Sequence, residues 1–211
     1  PQQSIKSFKL AYEKGFRILL CDLRFTSDNI AVCSHDDVVN YAKNADGTTP
    51  DIFPTISKMT YDELSNYDYG IYKGTPYKGS NIMKLEDMCK LCRCLGCELY
   101  IELKVTGTEE QIKSACKTVE KFQMTDRTSW AGSVDNLGWI VDSLTGTRVS
   151  IGTGESSISD NMIARLKEFK RNNNKIFFFG WHTVVLDDDT LNKLITNNIP
   201  FEMGTLDTEQ D

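Results

Sequence analysis

The chain has 211 residues, a net charge of −6, 26% charged residues and seven cysteines. That length suits one globular domain with a large core. The acids are scattered and no basic stretch forms the footprint of a nucleic-acid partner. No apolar run approaches the ~18 residues of a membrane span, and no signal-peptide pattern is visible. An odd number of cysteines excludes a fully paired disulfide set, which makes a reducing, cytoplasmic setting the expectation.

In chain order, Ile5, Phe8, Ala11 and Tyr12 recur at helical spacing before Gly15. The unbroken apolar run Ile18 to Cys21 has the pattern of a strand buried on both faces, and it delivers Asp22 at its end. After the polar turn Thr26-Ser27-Asp28-Asn29, a second apolar run, Ile30 to Cys33, delivers His35, Asp36 and Asp37. Residues 38 to 83 form a long excursion with turn chemistry at Asp46-Gly47 and Thr49-Pro50 and a short helix signal after Thr60. An excursion of that length in a compact domain marks a functional loop or an ordered insertion.

Cys89, Cys92, Cys94 and Cys97 suggest two metal knuckles, yet only one residue separates the two halves, whereas paired zinc knuckles lie ~15 residues apart. Leu85, Met88, Cys89, Cys92 and Leu95 instead share a helical face that Gly96 closes. A strand over Glu98 to Val105 follows, with Glu102 and Lys104 on one face. Thr108-Glu109-Glu110-Gln111 opens a helix reaching about Phe122. Trp130 to Val134, Arg148 to Ile151, Ile176 to Phe179 and Pro200 to Leu206 read as further strands. Between them lie helices through Leu137 and Ile140, after the Ser159 cap, and at Leu191, Leu194 and Ile195. Six strands alternating with helices make a parallel α/β fold, and no glycine-rich dinucleotide motif follows a strand. Functional residue types after several different strands favour a barrel over an open sheet.

The strand ending in Asp22, the TSDN turn, the His35-Asp36 pair and the later IELK strand together resemble the glycerophosphodiester phosphodiesterase family. The opening PQQSIKSFKLAYEKGF is similar to that family's first helix. The resemblance implies a TIM-type (β/α)8 barrel as a single domain over residues 1–211, with a substrate-side insertion at about 38–83. It further implies that strands 2–7 are present here, with the first strand upstream of Pro1 and the eighth beyond Asp211. Asp22 and Glu102 match metal ligands, His35 matches one of two catalytic histidines, and Lys104 matches a residue near the phosphate. Hard oxygen ligands of this kind suit Mg²⁺ or Ca²⁺. The implied activity is hydrolysis of a small glycerophosphodiester to an alcohol and glycerol 3-phosphate, in lipid and glycerol metabolism.

The chain departs from the family pattern at Leu20, where a Glu precedes Asp22 by two residues in the family, and at Gly204-Thr205-Leu206-Asp207 in place of Trp-Thr-Val-Asn. His182, Trp181 and the phenylalanines Phe177 to Phe179 read as structural. Two other readings stay open from the residues: a non-catalytic relative binding a phosphate-bearing ligand, and a zinc-stabilised interaction module.

Overall fold

The computed structural model describes residues 1–153, 157–181 and 186–204. Helix α1 (Ile5–Glu13) begins at a capping box in which the Ser4 and Ser7 side chains each accept the other's backbone N–H. Strand β1 (Ile18–Phe25) is followed by the short return β2 (Ala31–Cys33). The excursion carries β3 (Lys43–Asn44), α2 (Tyr61–Leu64), β4 (Tyr67–Asp68) and β5 (Met83–Lys84). From there helix and strand alternate: α3 (Leu85–Leu95), β6 (Glu98–Leu103), α4 (Glu109–Lys121), β7 (Thr128–Ala131), α5 (Val134–Ser143) and β8 (Arg148–Thr153). The last described elements are α6 (Asp160–Glu168), β9 (Lys175–Trp181), α7 (Asp188–Thr196) and β10 (Phe201–Gly204).

The main sheet runs β10-β9-β8-β7-β6-β1-β2-β5. The six strands from β10 to β1 pair in parallel, while β2 and β5 join antiparallel at the β1 edge. The six parallel strands expected from the sequence are therefore present. Among the described residues they form an open row and do not close a ring. β3 and β4 pair only with each other.

Residues alternate between two unlike faces. On one, Leu23, Leu99, Ile101, Trp130, Val149 and Phe178 pack beneath the helices in a continuous core. On the other, the register aligns Leu20 with Tyr100 and Ser129, and Asp22 with Glu102 and Ala131. Glu98 and Arg148, at the N-terminal ends of β6 and β8, form an ion pair on this second face. Tyr100 meets Phe177 edge-on, ring centroids 6.4 Å apart. The face is thus polar with an aromatic patch, unlike the helix-covered side.

This asymmetry corrects the reading of Ile18 to Cys21 as buried on both faces. Ile18 is 60% exposed and Leu20 44%, whereas Leu19 and Cys21 are buried. A continuous apolar run records the strand but not which of its faces a neighbour covers. Two smaller corrections follow the same lines. Ile5 is exposed, and only Phe8 of its helix is fully buried. The strand expected at Trp130 to Val134 is Thr128–Ala131, because Ser133 caps α5 and draws Val134 into the helix. The last strand is described only as far as Gly204, so the Thr205 to Asp207 stretch lies outside the described residues.

Helix α3 buries Leu85, Met88, Cys89 and Cys92 and ends at Gly96 with φ of 71°, a left-handed conformation that suits glycine. Cys94 is exposed on the opposite side. Burial pushes the Cys92 thiol up to about 12, and among the described residues these cysteines do not converge as a metal site. The excursion has a small core of its own, in which Val39, Ala42, Ile56, Leu64 and Tyr69 pack against Val32 of β2. Asp68 ties it together by accepting backbone N–H groups from Gly70, Ile71 and Gly79 at 2.7–3.0 Å.

Ile101 is fully buried at the centre of the main core. Ile101→Ala is expected to lower unfolding free energy by roughly 2–5 kcal/mol in urea titrations. A loss under about 1 kcal/mol would contradict the packing of β6 beneath the helices.

Candidate active site

Parallel pairing of β1 and β6 sets Asp22 directly beside Glu102. Both side chains project from the polar face at the C-terminal ends of their strands, where active sites of parallel α/β barrels lie. Two carboxylates at adjacent positions repel unless a cation separates them. Lys104, two residues beyond Glu102 on the same face, supplies it. Its Nζ lies 3.1 Å from Asp22 Oδ1 and 2.6 Å from Glu102 Oε1. Its backbone N–H donates to Leu23 O at 3.1 Å, which continues the parallel ladder one residue past β6. Burial disfavours the Lys104 ammonium, but hydrogen bonds and charge from Glu102 and Asp22 outweigh it and raise its pKa.

Asp22 is held from a second side. Gln3 Nε2 donates to Asp22 Oδ2 at 2.7 Å, and the Asp22 backbone N–H donates to Gln3 Oε1 at 3.3 Å. Ser34 N–H donates to Asp22 O at 2.9 Å, which brings the segment after β2 against the same residue. His35, the next residue, stands at the rim. Arg24 Nε donates to its carbonyl at 2.9 Å, and its Nδ1 pairs with Asp36 Oδ1 at 2.9 Å. The His35 and Asp36 side chains are 57% and 54% exposed. The structure therefore gathers Asp22, Glu102 and Lys104 into one cluster, with His35 beside it and bonded to none of the three. A cleft of about 370 Å³ opens at the same end, lined in part by Arg24, Ser27, Asn29, Ser57 and Gln111.

Among the described residues, no three His, Cys, Asp or Glu side chains converge as a metal site. The donor chemistry still fits a hard divalent ion. Two carboxylates aim an oxygen each at one cation-sized position, now filled by an ammonium, and Leu20 on the same face contributes no third oxygen. Such a site takes the rest of its ligands from water, as Mg²⁺ tolerates readily. His182 lies outside the described residues. Gln3 escaped the sequence reading because a glutamine ahead of a helix cap carries no local signal for a contact 19 residues away.

With this geometry in view, the comparisons give the lineage. The sequence model of the Glycerophosphoryl diester phosphodiesterase family matches residues 1–148. The chain belongs to that family. It is 29% identical over 122 residues to a glycerophosphodiester phosphodiesterase of Caldanaerobacter subterraneus, a match covering 56% of this chain and 47% of that protein. A Bacillus subtilis relative is 31% identical over 117 residues, covering 53% of this chain and 44% of that protein. The matches thus span less than half the length of these curated relatives. Among solved structures, an Oleispira antarctica phosphodiesterase in complex with the product sn-glycerol-3-phosphate superposes with a TM-score of 0.76 at 19% identity. That alignment covers 100% of this chain and 81% of the other. The likeness is one of fold, and it identifies the open row of six parallel strands as part of the family's TIM-type barrel.

Removing the ammonium leaves two adjacent, largely buried carboxylates without a counter-charge. Lys104→Met is expected to cost roughly 2–3 kcal/mol, less than a fully buried pair would because Glu102 is partly exposed. Because the folded pKa of Lys104 is raised, its contribution is complete below the ordinary lysine value of 10.5 and is lost as pH climbs through the higher folded value. The stability gap between parent and variant should therefore stay constant from neutral pH to about 10 and narrow above it, as read by denaturant titration. A gap that does not narrow at alkaline pH would remove Lys104 from the role of counter-charge.

Proposed function

We propose that this chain is the catalytic part of a glycerophosphodiester phosphodiesterase, folded as a single domain, which hydrolyses its substrate to an alcohol and glycerol 3-phosphate. The observation that carries the proposal is the Asp22–Lys104–Glu102 cluster at the C-terminal ends of two adjacent parallel strands, with His35 at the same end. Support comes from family membership and from the product held by the Oleispira antarctica protein of the same fold.

Each residue then has a task. Lys104 meets a phosphoryl oxygen as a point charge. Asp22 and Glu102 would hold a divalent ion, Mg²⁺ or Ca²⁺, which when bound supplies Lewis-acid neutralisation of the phosphoryl charge. His35 has its Nδ1 engaged by Asp36, so Nε2 is the nitrogen that exchanges a proton with water or the leaving alkoxide. Water gives up a proton as it becomes bonded to phosphorus, the P–O bond to the alcohol breaks, and the departing oxygen takes up a proton.

A second reading, phosphate-ligand binding without turnover, draws support from Leu20, which leaves the cluster with two carboxylates where the family pattern has three. Release of sn-glycerol 3-phosphate from glycerophosphocholine or glycerophosphoethanolamine, with MgCl₂ or CaCl₂ present, separates the two. Turnover by the purified protein supports hydrolysis. Product binding without turnover favours the second reading.

Two substitutions sharpen the assignment. His35→Ala is expected to lower kcat by ~10²–10⁴-fold at unchanged thermal stability, as for a proton-transfer residue. A loss smaller than about tenfold would remove His35 from the mechanism. Leu20→Glu places a third carboxylate on the face of Asp22, at a position exposed enough to keep a charge hydrated. MgCl₂ is therefore expected to raise the Tm of Leu20→Glu more than that of the parent. Equal shifts would mean that this end of β1 has no affinity for a divalent ion.

A further inference from the structure

We propose that Gln3 is a positioning residue that locks the Asp22 carboxylate in its working orientation, an inference that rests on the phosphodiesterase reading of the Asp22–Glu102–Lys104 cluster. One side-chain amide makes two contacts to a single residue. Nε2 donates to Asp22 Oδ2 at 2.7 Å, and Oε1 accepts the Asp22 backbone N–H at 3.3 Å. With Oδ2 tied, Oδ1 is the oxygen presented to Lys104 Nζ, 3.1 Å away.

The sheet edge explains why a side chain is needed here. β2 covers β1 only at Leu23, Arg24 and Phe25. Ser34 N–H then takes the Asp22 carbonyl, and Gln3 takes the Asp22 N–H. The end of the antiparallel ladder thus falls at the residue carrying the functional carboxylate, and Gln3 replaces the missing strand partner while also gripping that carboxylate.

Backbone conformation points the same way. Gln3 has φ of 50°, in the left-handed region that residues with a Cβ adopt rarely. The chain turns there because Ser4 caps α1 and its hydroxyl donates to Pro1 O at 2.7 Å. A turn alone would favour glycine or asparagine. A strained glutamine whose amide meets Asp22 through both its N–H and its oxygen is the pattern of a conformation retained for a site.

The test compares parent, Gln3→Gly and Gln3→Met. Glycine relieves the left-handed strain and removes the amide, while methionine keeps the length and the strain and removes the amide. Each protein is measured for kcat and KM on glycerophosphocholine, for MgCl₂ affinity by isothermal titration calorimetry, and for Tm. Hydrogen-bond partners of metal-binding carboxylates typically matter by ~10–100-fold in affinity or activity. Both variants are therefore expected to lose at least about tenfold in kcat and in MgCl₂ affinity. Tm should hold or rise in Gln3→Gly and fall in Gln3→Met, so that function and stability separate. Gln3→Gly with the parent's kcat and MgCl₂ affinity would reduce Gln3 to a turn residue and overturn the proposal. If the parent itself shows no turnover, the phosphodiesterase reading fails and calorimetry alone decides: weaker MgCl₂ binding by both variants supports the role of Gln3, and equal binding overturns it. A parent that neither turns over nor binds MgCl₂ overturns both.

Discussion

Parallel pairing of β1 with β6 fixes Asp22 opposite Glu102, and a one-residue slip in that register would turn one of the two carboxylates to the helix-covered face. The register is held by what lies on that other face. Leu19, Cys21 and Leu23 and their partners Leu99, Ile101 and Leu103 are buried under the helices, so any slip would expose apolar surface along both strands. The hydrophobic core thereby places the charged cluster without touching it. Lys104 completes the arrangement: it continues the ladder through its backbone and offsets two negative charges through its side chain.

The same ammonium links stability to function. In the structure Lys104 fills the cation position between the carboxylates. In the proposed reaction Asp22 and Glu102 would hold a divalent ion through the carboxylate oxygens that now face the ammonium, and Lys104 would meet phosphate. Around it lie groups that set orientation rather than charge: Gln3 on Asp22, and Asp36 on the His35 ring. Each is a short polar contact at the end of a segment whose position a cap or a strand pairing already determines.

The excursion after His35 brings its own core to the edge of the sheet, packed on Val32 of β2. β5 then pairs with β2 and leads directly into α3, so the insertion returns the chain to the helix-covered face. Its packing braces β2, and through β2 the segment that carries His35. The four cysteines of α3 and the turn after it belong to the scaffold: three are buried, and burial pushes their thiols up.

Elements with a strong local signal were legible in the sequence. The capping box at Thr108, the Ser159 cap, the glycine after α3 and the apolar runs of β1 and β9 each depend on neighbours a few residues away. The shared face of Glu102 and Lys104 also followed from the strand period of two, and the family resemblance singled out Asp22 and His35. What the sequence left open needed distant partners. That Leu20 lies half exposed, although its run reads as doubly buried, depends on which face the helices cover. That Gln3 grips Asp22, and that His35 turns to Asp36 instead of the carboxylate cluster, depends on how the α1 entry and the β2 return meet the edge of β1. Local periodicity records only that a residue belongs to a strand or helix, whereas burial and side-chain contact depend on segments distant in sequence, and only the assembled sheet sets those.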